Sequence, residues 1–191
     1  MSPRTPDQFK ELRDNARQKI LDGALELFAE AGFHNTSISE IAKKAGISKG
    51  LMYNYFESKE HLLREIVFEG IESLTESFDP NRDGILTKDE LIHFINESFL
   101  LIQKHRYYWK LYFSIIIQAP VMSLFGDELM LKLNSYFGMI SAYFQDQRFE
   151  NPEAEMRFFS AMLDGIAMNY ITDPEGFPLE AVKQRIIKMY S

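Results

Sequence analysis

Residues 36–59, TSISEIAKKAGISKGLMYNYFESK, decide the fold. Ile38, Ile41, Ala42 and Ala45 recur at helical spacing, Gly46 supplies a turn, and Ile47, Met52 and Phe56 resume the apolar pattern. Two short helices therefore pack across a glycine turn. Ser37 followed three residues later by Glu40 is a capping-box pair that marks where the first begins. Ala42 and Ala45 are small enough for a second helix to approach closely, as a helix-turn-helix requires.

The second helix is expected to run from Ser48 to Phe56. Its outward groups are hydroxyls, an amide and one cation, from Ser48, Lys49, Tyr53, Asn54 and Tyr55, the chemistry that meets phosphates and base edges. Gly50 removes a side chain where the backbone would approach a groove wall. Asn54 suits an adenine edge and Leu51 a thymine methyl. The competing use of the two tyrosines is as core aromatics, and of Lys49 as a solvated charge.

The stretch from Ile20 to Leu63, including LFAEAGFHNTSISEIAKKAGISKGLMYNYFESKEHLL, resembles the amino-terminal domain of the TetR family of bacterial transcriptional regulators. The likeness rests on Gly32-Phe33, Thr36, the Ala42 to Ala45 pair, the Ser48 to Phe56 helix and the Lys59-Glu60 step in one order. It covers about a quarter of the chain. The resemblance implies an all-α protein: a three-helix DNA-binding head at 1–57, and a ligand-binding and dimerising helical body at 58–191 that opens with a linker helix at 58–78. It also implies DNA contacts from Thr36, Lys49, Gly50, Leu51, Tyr53, Asn54, Tyr55 and Lys59, with Tyr55 and Lys59 as phosphate anchors. Ser48, in the first turn of the reading helix, joins them.

Charge partitions in a way that suits this division. The net charge is −7, yet residues 1–60 hold nine basic and nine acidic side chains, so the whole excess of acid lies in the body. A neutral head binds DNA if Arg4, Lys10, Arg13, Arg17, Lys49 and Lys59 gather toward phosphate, and such binding is strongly salt-dependent. The chain has no cysteine, which removes disulfides, thiolate metal sites and a thiol nucleophile. Apolar runs such as SIIIQAPVM are too short to span a bilayer, so a cytoplasmic protein with no membrane partner is expected. No Gly-rich phosphate loop, GxSxG elbow or HExxH pair points to an enzyme. His93 and His105 lack partners at metal-ligand spacing.

Helical periodicity covers the remainder: about 7–31, 58–78, 88–104, 106–118, 121–147, 152–172 and 179–190. Between the fourth and fifth helices, residues 79–90 read DPNRDGILTKDE and fit the twelve-residue EF-hand calcium loop. Asp79, Asn81 and Asp83 would give side-chain oxygens, Ile85 its carbonyl, Thr87 a direct or water-bridged ligand and Glu90 both carboxylate oxygens to a possible Ca²⁺. The same residues make a good tight turn, and Thr87 with Glu90 is equally a capping box for the next helix. No cofactor is required by either reading.

The body is rich in aromatics and methionines, which serve a bundle core or an apolar pocket alike. Trp109, Tyr112, Phe113, Met122, Phe125, Tyr143 and Phe159 are the candidates for holding a partly apolar small-molecule effector. The last two helices resemble the family's dimer-forming pair, with Phe158, Met162, Gly165, Ile166 and Tyr170 on the contact stripe. The expected function is a homodimeric repressor of transcription that binds a palindromic operator on double-stranded DNA until an effector releases it. The alternative is a calcium-responsive binding module whose head engages a protein.

Overall fold

A computed structural model describes residues 5–190; Arg4, with its expected part in phosphate binding, lies outside them. Among the described residues the chain forms nine α-helices and no strand: α1 (Pro6–Ala31), α2 (Ile38–Lys44), α3 (Lys49–Met52), α4 (Lys59–Thr75), α5 (Lys88–Lys104), α6 (Arg106–Ile116), α7 (Ala119–Asp146), α8 (Pro152–Thr172) and α9 (Leu179–Tyr190). They fall into two compact units. The first runs to Glu69 and adds Ser114–Leu124, and the second comprises Gly70–Phe113 and the chain from Phe125 onward.

In the first unit, each helix start is set by local chemistry. Thr5 and Gln8 form a capping box ahead of Pro6, whose missing amide costs nothing at a helix start. Ser37 and Glu40 do the same for α2, and the Ser37 hydroxyl and amide hold the fully exposed Glu40 carboxyl below its ordinary range. Gly32 ends α1 at φ 81°, its N–H donating to the Phe28 carbonyl, a left-handed conformation that a side chain would strain. Ile20, Ala24, Phe28, Ile41, Met52, Leu62 and Val67 are wholly buried or nearly so, and form the apolar interior around which α1 to α4 are arranged.

The reading helix is shorter than its sequence suggests. α3 stops at Met52, and the amides of Asn54 and Tyr55 donate instead to the carbonyls of Leu51 and Met52. That is i to i−3 bonding, which tightens the chain into turns. The cause is visible in burial: Met52 and Phe56 are 0% and 2% exposed, and a tightened turn brings both inward. Tyr53, Asn54 and Tyr55 therefore stand on a turn beyond the helix, a correction to the expected Ser48 to Phe56 helix.

The second unit is built round one aromatic and aliphatic cluster. Phe78, Leu86, Leu91, Ile95, Phe144, Phe159, Ile186 and Tyr190 are buried together in it. α5 packs against α8 and α9. The Tyr143 hydroxyl donates to the Tyr190 carbonyl at 3.0 Å, and the Tyr190 hydroxyl to Glu155 Oε1 at 2.7 Å, so these phenols enter the core with their polar ends satisfied. Helix α4 ends at Thr75, short of the expected Phe78. A turn with the Phe78 amide on the Thr75 carbonyl then follows, and Phe78 is 1% exposed in the core.

Candidate nucleic-acid interface

Around α3, the residues expected to touch DNA divide by exposure. Ser48, Lys49 and Gly50 are exposed, Leu51 is 40% exposed and Tyr53 50%, Asn54 is exposed, and Tyr55 is half-buried. The Ser48 hydroxyl accepts from the Leu51 amide at 3.1 Å and so sets the start of α3, leaving the helix's outer edge to Lys49, Gly50 and Leu51. No Cβ contact would restrict Gly50, so its value is the bare surface it presents rather than a close neighbour within the chain. The arrangement offers one cation, an amide, a phenol and an apolar side chain on one short edge, a set suited to groove atoms.

Two residues expected at the interface have other work. Thr36 is only 3% exposed, and its hydroxyl donates to the carbonyls of Leu27 and Gly32 at 3.2 and 2.9 Å. It closes the end of α1, and its side chain is not available to a phosphate. Lys59 sits in the first turn of α4, where a cation opposes the helix dipole. Its ammonium is held there by the carbonyls of Phe33 and Thr36, at 2.7 and 2.8 Å, and by the Phe33 ring, at 4.4 Å from the centroid. Two of its three N–H groups are thus taken up in joining α4 to the loop after α1, leaving one for a phosphate. Replacing Lys59 with Met is expected to lower stability by roughly 1.5–3 kcal/mol, the usual worth of charge-assisted hydrogen bonds. Thermal denaturation checks this, and an unchanged midpoint would mean that the staple is dispensable.

The expected gathering of basic residues also needs correction at Arg17. Its guanidinium bonds Glu65 and, at 2.7 Å, Glu69, tying α1 to α4 within the first unit. Lys44 pairs with Glu26. Lys10 and Arg13 remain exposed on α1.

Elsewhere the expected sites are placed as follows. In the 79–90 loop, Asp79 Oδ2 accepts from the Gly84 amide at 3.0 Å, Asn81 Oδ1 from Asp83 at 2.9 Å, and Asp83 Oδ1 from Ile85 at 2.8 Å. Glu90 Oε2 accepts from the amide and hydroxyl of Thr87, so the capping box is formed. Among the described residues, no three His, Cys, Asp or Glu side chains stand close enough together to hold a metal ion.

The effector candidates do not gather. Trp109, Tyr112 and Phe113 form one ring group on α6, and Tyr143 and Phe159 belong to the central cluster of the second unit. Phe125 is buried, while Met122 is 52% exposed in the first unit. A cavity of ≈ 30 Å³ lies instead between Ser98, Phe99, Ile102, Leu163, Ile166, Ala167 and Leu179. Ser98 is 8% exposed and its Oγ is buried without a hydrogen-bond partner. A lone hydroxyl on the apolar stripe Leu91, Ile95, Ser98, Ile102 was the sequence signal for it.

The dimer candidates divide likewise. Phe158 is 54% exposed and Gly165 is open, whereas Met162 and Ile166 are half-buried against the core and Tyr170 is 8% exposed. Tyr170 faces inward and leaves the outer stripe, whose further apolar member is Met168 at 45%.

Known proteins match this chain at the same place. The family model described as bacterial regulatory proteins, tetR family, matches residues 20–66. The fatty acid metabolism regulator protein of Bacillus subtilis is 33% identical over 85 residues, 44% of each chain. The match thus spans less than half the length of that relative. Among solved structures, FadR from Bacillus subtilis in complex with stearoyl-CoA superposes with a TM-score of 0.69 at 21% identity, covering 91% of this chain and 96% of that one. NalD, the secondary repressor of the MexAB-OprM multidrug efflux pump in Pseudomonas aeruginosa, gives 0.70 at 19%, covering 93% and 94%. At those identities the likeness is one of fold, and it extends through the body. Residues 20–66, with their short α3 edge and glycine turn, thus match the tetR family of bacterial regulatory proteins over about a quarter of the chain.

Proposed function

We propose that this protein is a sequence-specific transcriptional regulator that binds DNA through residues 1–57 and dimerises and senses a small molecule through residues 58–191. One observation carries the reading: the exposed run of Ser48, Lys49, Gly50, Leu51, Tyr53 and Asn54 falls inside the segment matched by the family's amino-terminal domain. Two such heads on a twofold dimer would read an inverted repeat, since operator symmetry mirrors protein symmetry. The dimer stripe is taken to be Phe158, Gly165 and Met168 on α8, and the site of action the cytoplasm.

The effector is taken to be partly apolar. FadR of Bacillus subtilis, of similar fold, is described with stearoyl-CoA, and the mostly apolar lining of the Ser98 cavity here, with Phe99, Ile102 and Leu163, suits an acyl chain. The ≈ 30 Å³ cavity at Ser98 holds about one water, so a ligand entering there must part α5 from α8. Repression relieved by that parting is the family-like mechanism. The alternative, a calcium-responsive module whose head engages a protein, gives no reason for the cation, amide and phenol on the α3 edge that suit phosphates and base edges.

Selection of bound sequences from a random duplex pool tests the proposal. Enrichment of an inverted repeat is expected, and a folded protein that enriches nothing would overturn it. On the selected operator, Asn54→Ala is expected to relax preference at one position per half-site by about 1–3 kcal/mol, while Lys49→Ala weakens all sequences alike and flattens the salt dependence. The two variants separate base reading from phosphate binding.

A further inference from the structure

Given a body that senses a small molecule, the reading on which this rests, we propose that Ser98 is the polar recognition point for the effector, which presents to it an uncharged oxygen, of a hydroxyl, ester or thioester, on an otherwise apolar chain. Ser98 is only 8% exposed, and its Oγ is buried without a hydrogen-bond partner among the described residues. A hydroxyl in that state is costly, since it gives up water and gains nothing in return.

A helix offers a buried serine or threonine a remedy in the carbonyl four residues back. Ser160 donates to that of Met156 at 3.0 Å, Thr75 to that of Ile71 at 2.8 Å and Thr172 to that of Met168 at 2.7 Å. Ser98 makes no such bond. Close packing between helices does not explain a serine there either, because alanine is as small, forms helix better and has no oxygen to bury. The hydroxyl is unused within the chain, and the residue that carries it lines the ≈ 30 Å³ cavity.

The walls of that cavity define what the hydroxyl can meet. Phe99 and Ile102 of α5, Leu163, Ile166 and Ala167 of α8, and Leu179 at the start of α9 complete the lining, so Ser98 is its one polar side chain among the described residues. No lysine, arginine or histidine belongs to it. A carboxylate entering there would lose its hydration with no cation to replace it, whereas a neutral oxygen needs a single hydrogen bond. A serine hydroxyl both donates and accepts, so it serves an alcohol or a carbonyl oxygen, and it turns toward either by rotation about χ1 alone. The apolar walls suit the chain that carries the oxygen.

Two measurements on the full-length protein test this, with 1-decanol and decanoate as probes. Without ligand, Ser98→Ala is expected to raise the melting midpoint by about 2–4 °C, because an unpaired hydroxyl is removed and a better helix former takes its place. In calorimetry, decanol should bind the wild-type protein at least tenfold more tightly than decanoate. Ser98→Ala should weaken decanol about three- to tenfold, the contribution of one neutral hydrogen bond, and leave decanoate unchanged. A variant that is more stable yet binds the alcohol less well separates recognition from a merely structural role. A lowered midpoint in Ser98→Ala would show that Oγ has a partner within the chain and overturn the assignment. Absence of decanol binding, equal decanol affinity in wild type and variant, or a preference for decanoate would overturn it as well. The sensor reading fails on a different result, a broad panel of small molecules none of which releases the protein from its selected operator.

Discussion

Replacing Gly70 with Ala is expected to destabilise the protein by about 3 kcal/mol and lower its melting midpoint by roughly 6–12 °C. Helix propensity argues the other way, since alanine in a helix interior gains about 1 kcal/mol over glycine. The deciding fact is distance. A Cβ at Gly70 would meet Tyr112 Cε2 at 2.0 Å and Cζ at 2.4 Å, far inside van der Waals contact. Tyr112 is 1% exposed, stacked against Tyr108 and edge-on to Trp109, so its ring has no room to withdraw. Burial also pushes its phenol well above the ordinary tyrosine value, with the neighbouring Tyr108 adding to the shift, so ionisation does not relieve the contact. The ring lies over α4 because glycine leaves the helix backbone bare there. Pairing Gly70→Ala with Tyr112→Leu should recover part of the loss, since residues in contact couple. A Gly70→Ala protein as stable as wild type, by denaturation midpoint, would show that α4 and α6 slide apart at little cost.

That contact also shows what the sequence could not disclose. Helices α5, α8 and α9 begin and end where the sequence places them, because their boundaries are written locally: Thr87 with Glu90, Asn151 before Pro152, and Pro178 ahead of Leu179. The end of α3 was not legible. Leu51, Met52, Tyr55 and Phe56 have spacing that satisfies a continuing helix, and only the inward placement of Met52 and Phe56 makes the chain tighten after Met52. The internal bonds of Thr36 and Lys59 were not legible for a related reason. A threonine and a lysine at the edges of a DNA-reading head look available, and nothing local reveals that they bond the carbonyls of Leu27, Gly32, Phe33 and Thr36 itself. Arg17 is the same case, drawn off by Glu65 and Glu69 far along the chain. Side chains with a surface chemistry are legible as types, and their partners are settled by tertiary structure.

The outer face of α8 gives the other large expected effect. Phe158→Glu should convert a dimer to monomers and reduce operator affinity by about 10²- to 10⁴-fold, the advantage that linking two heads confers. The argument begins with exposure. Phe158 and Met168 are 54% and 45% exposed in the single chain, and Gly165 between them presents open backbone. A helix that turns Phe159, Ala167 and Tyr170 into the core and keeps this second apolar stripe outward is amphipathic in the wrong sense for a solvated monomer. A twofold partner bringing the same stripe would cover it, with Gly165 allowing the backbones to approach. Glutamate at position 158 would bury an unpaired charge in that contact, while the single chain, where the side chain is already half in water, keeps its fold. Light scattering should therefore report half the mass with an unaltered helical spectrum. A Phe158→Glu protein that stays dimeric would move the interface to another face of the body, and one that becomes monomeric yet keeps full operator affinity would mean that each head binds DNA unaided.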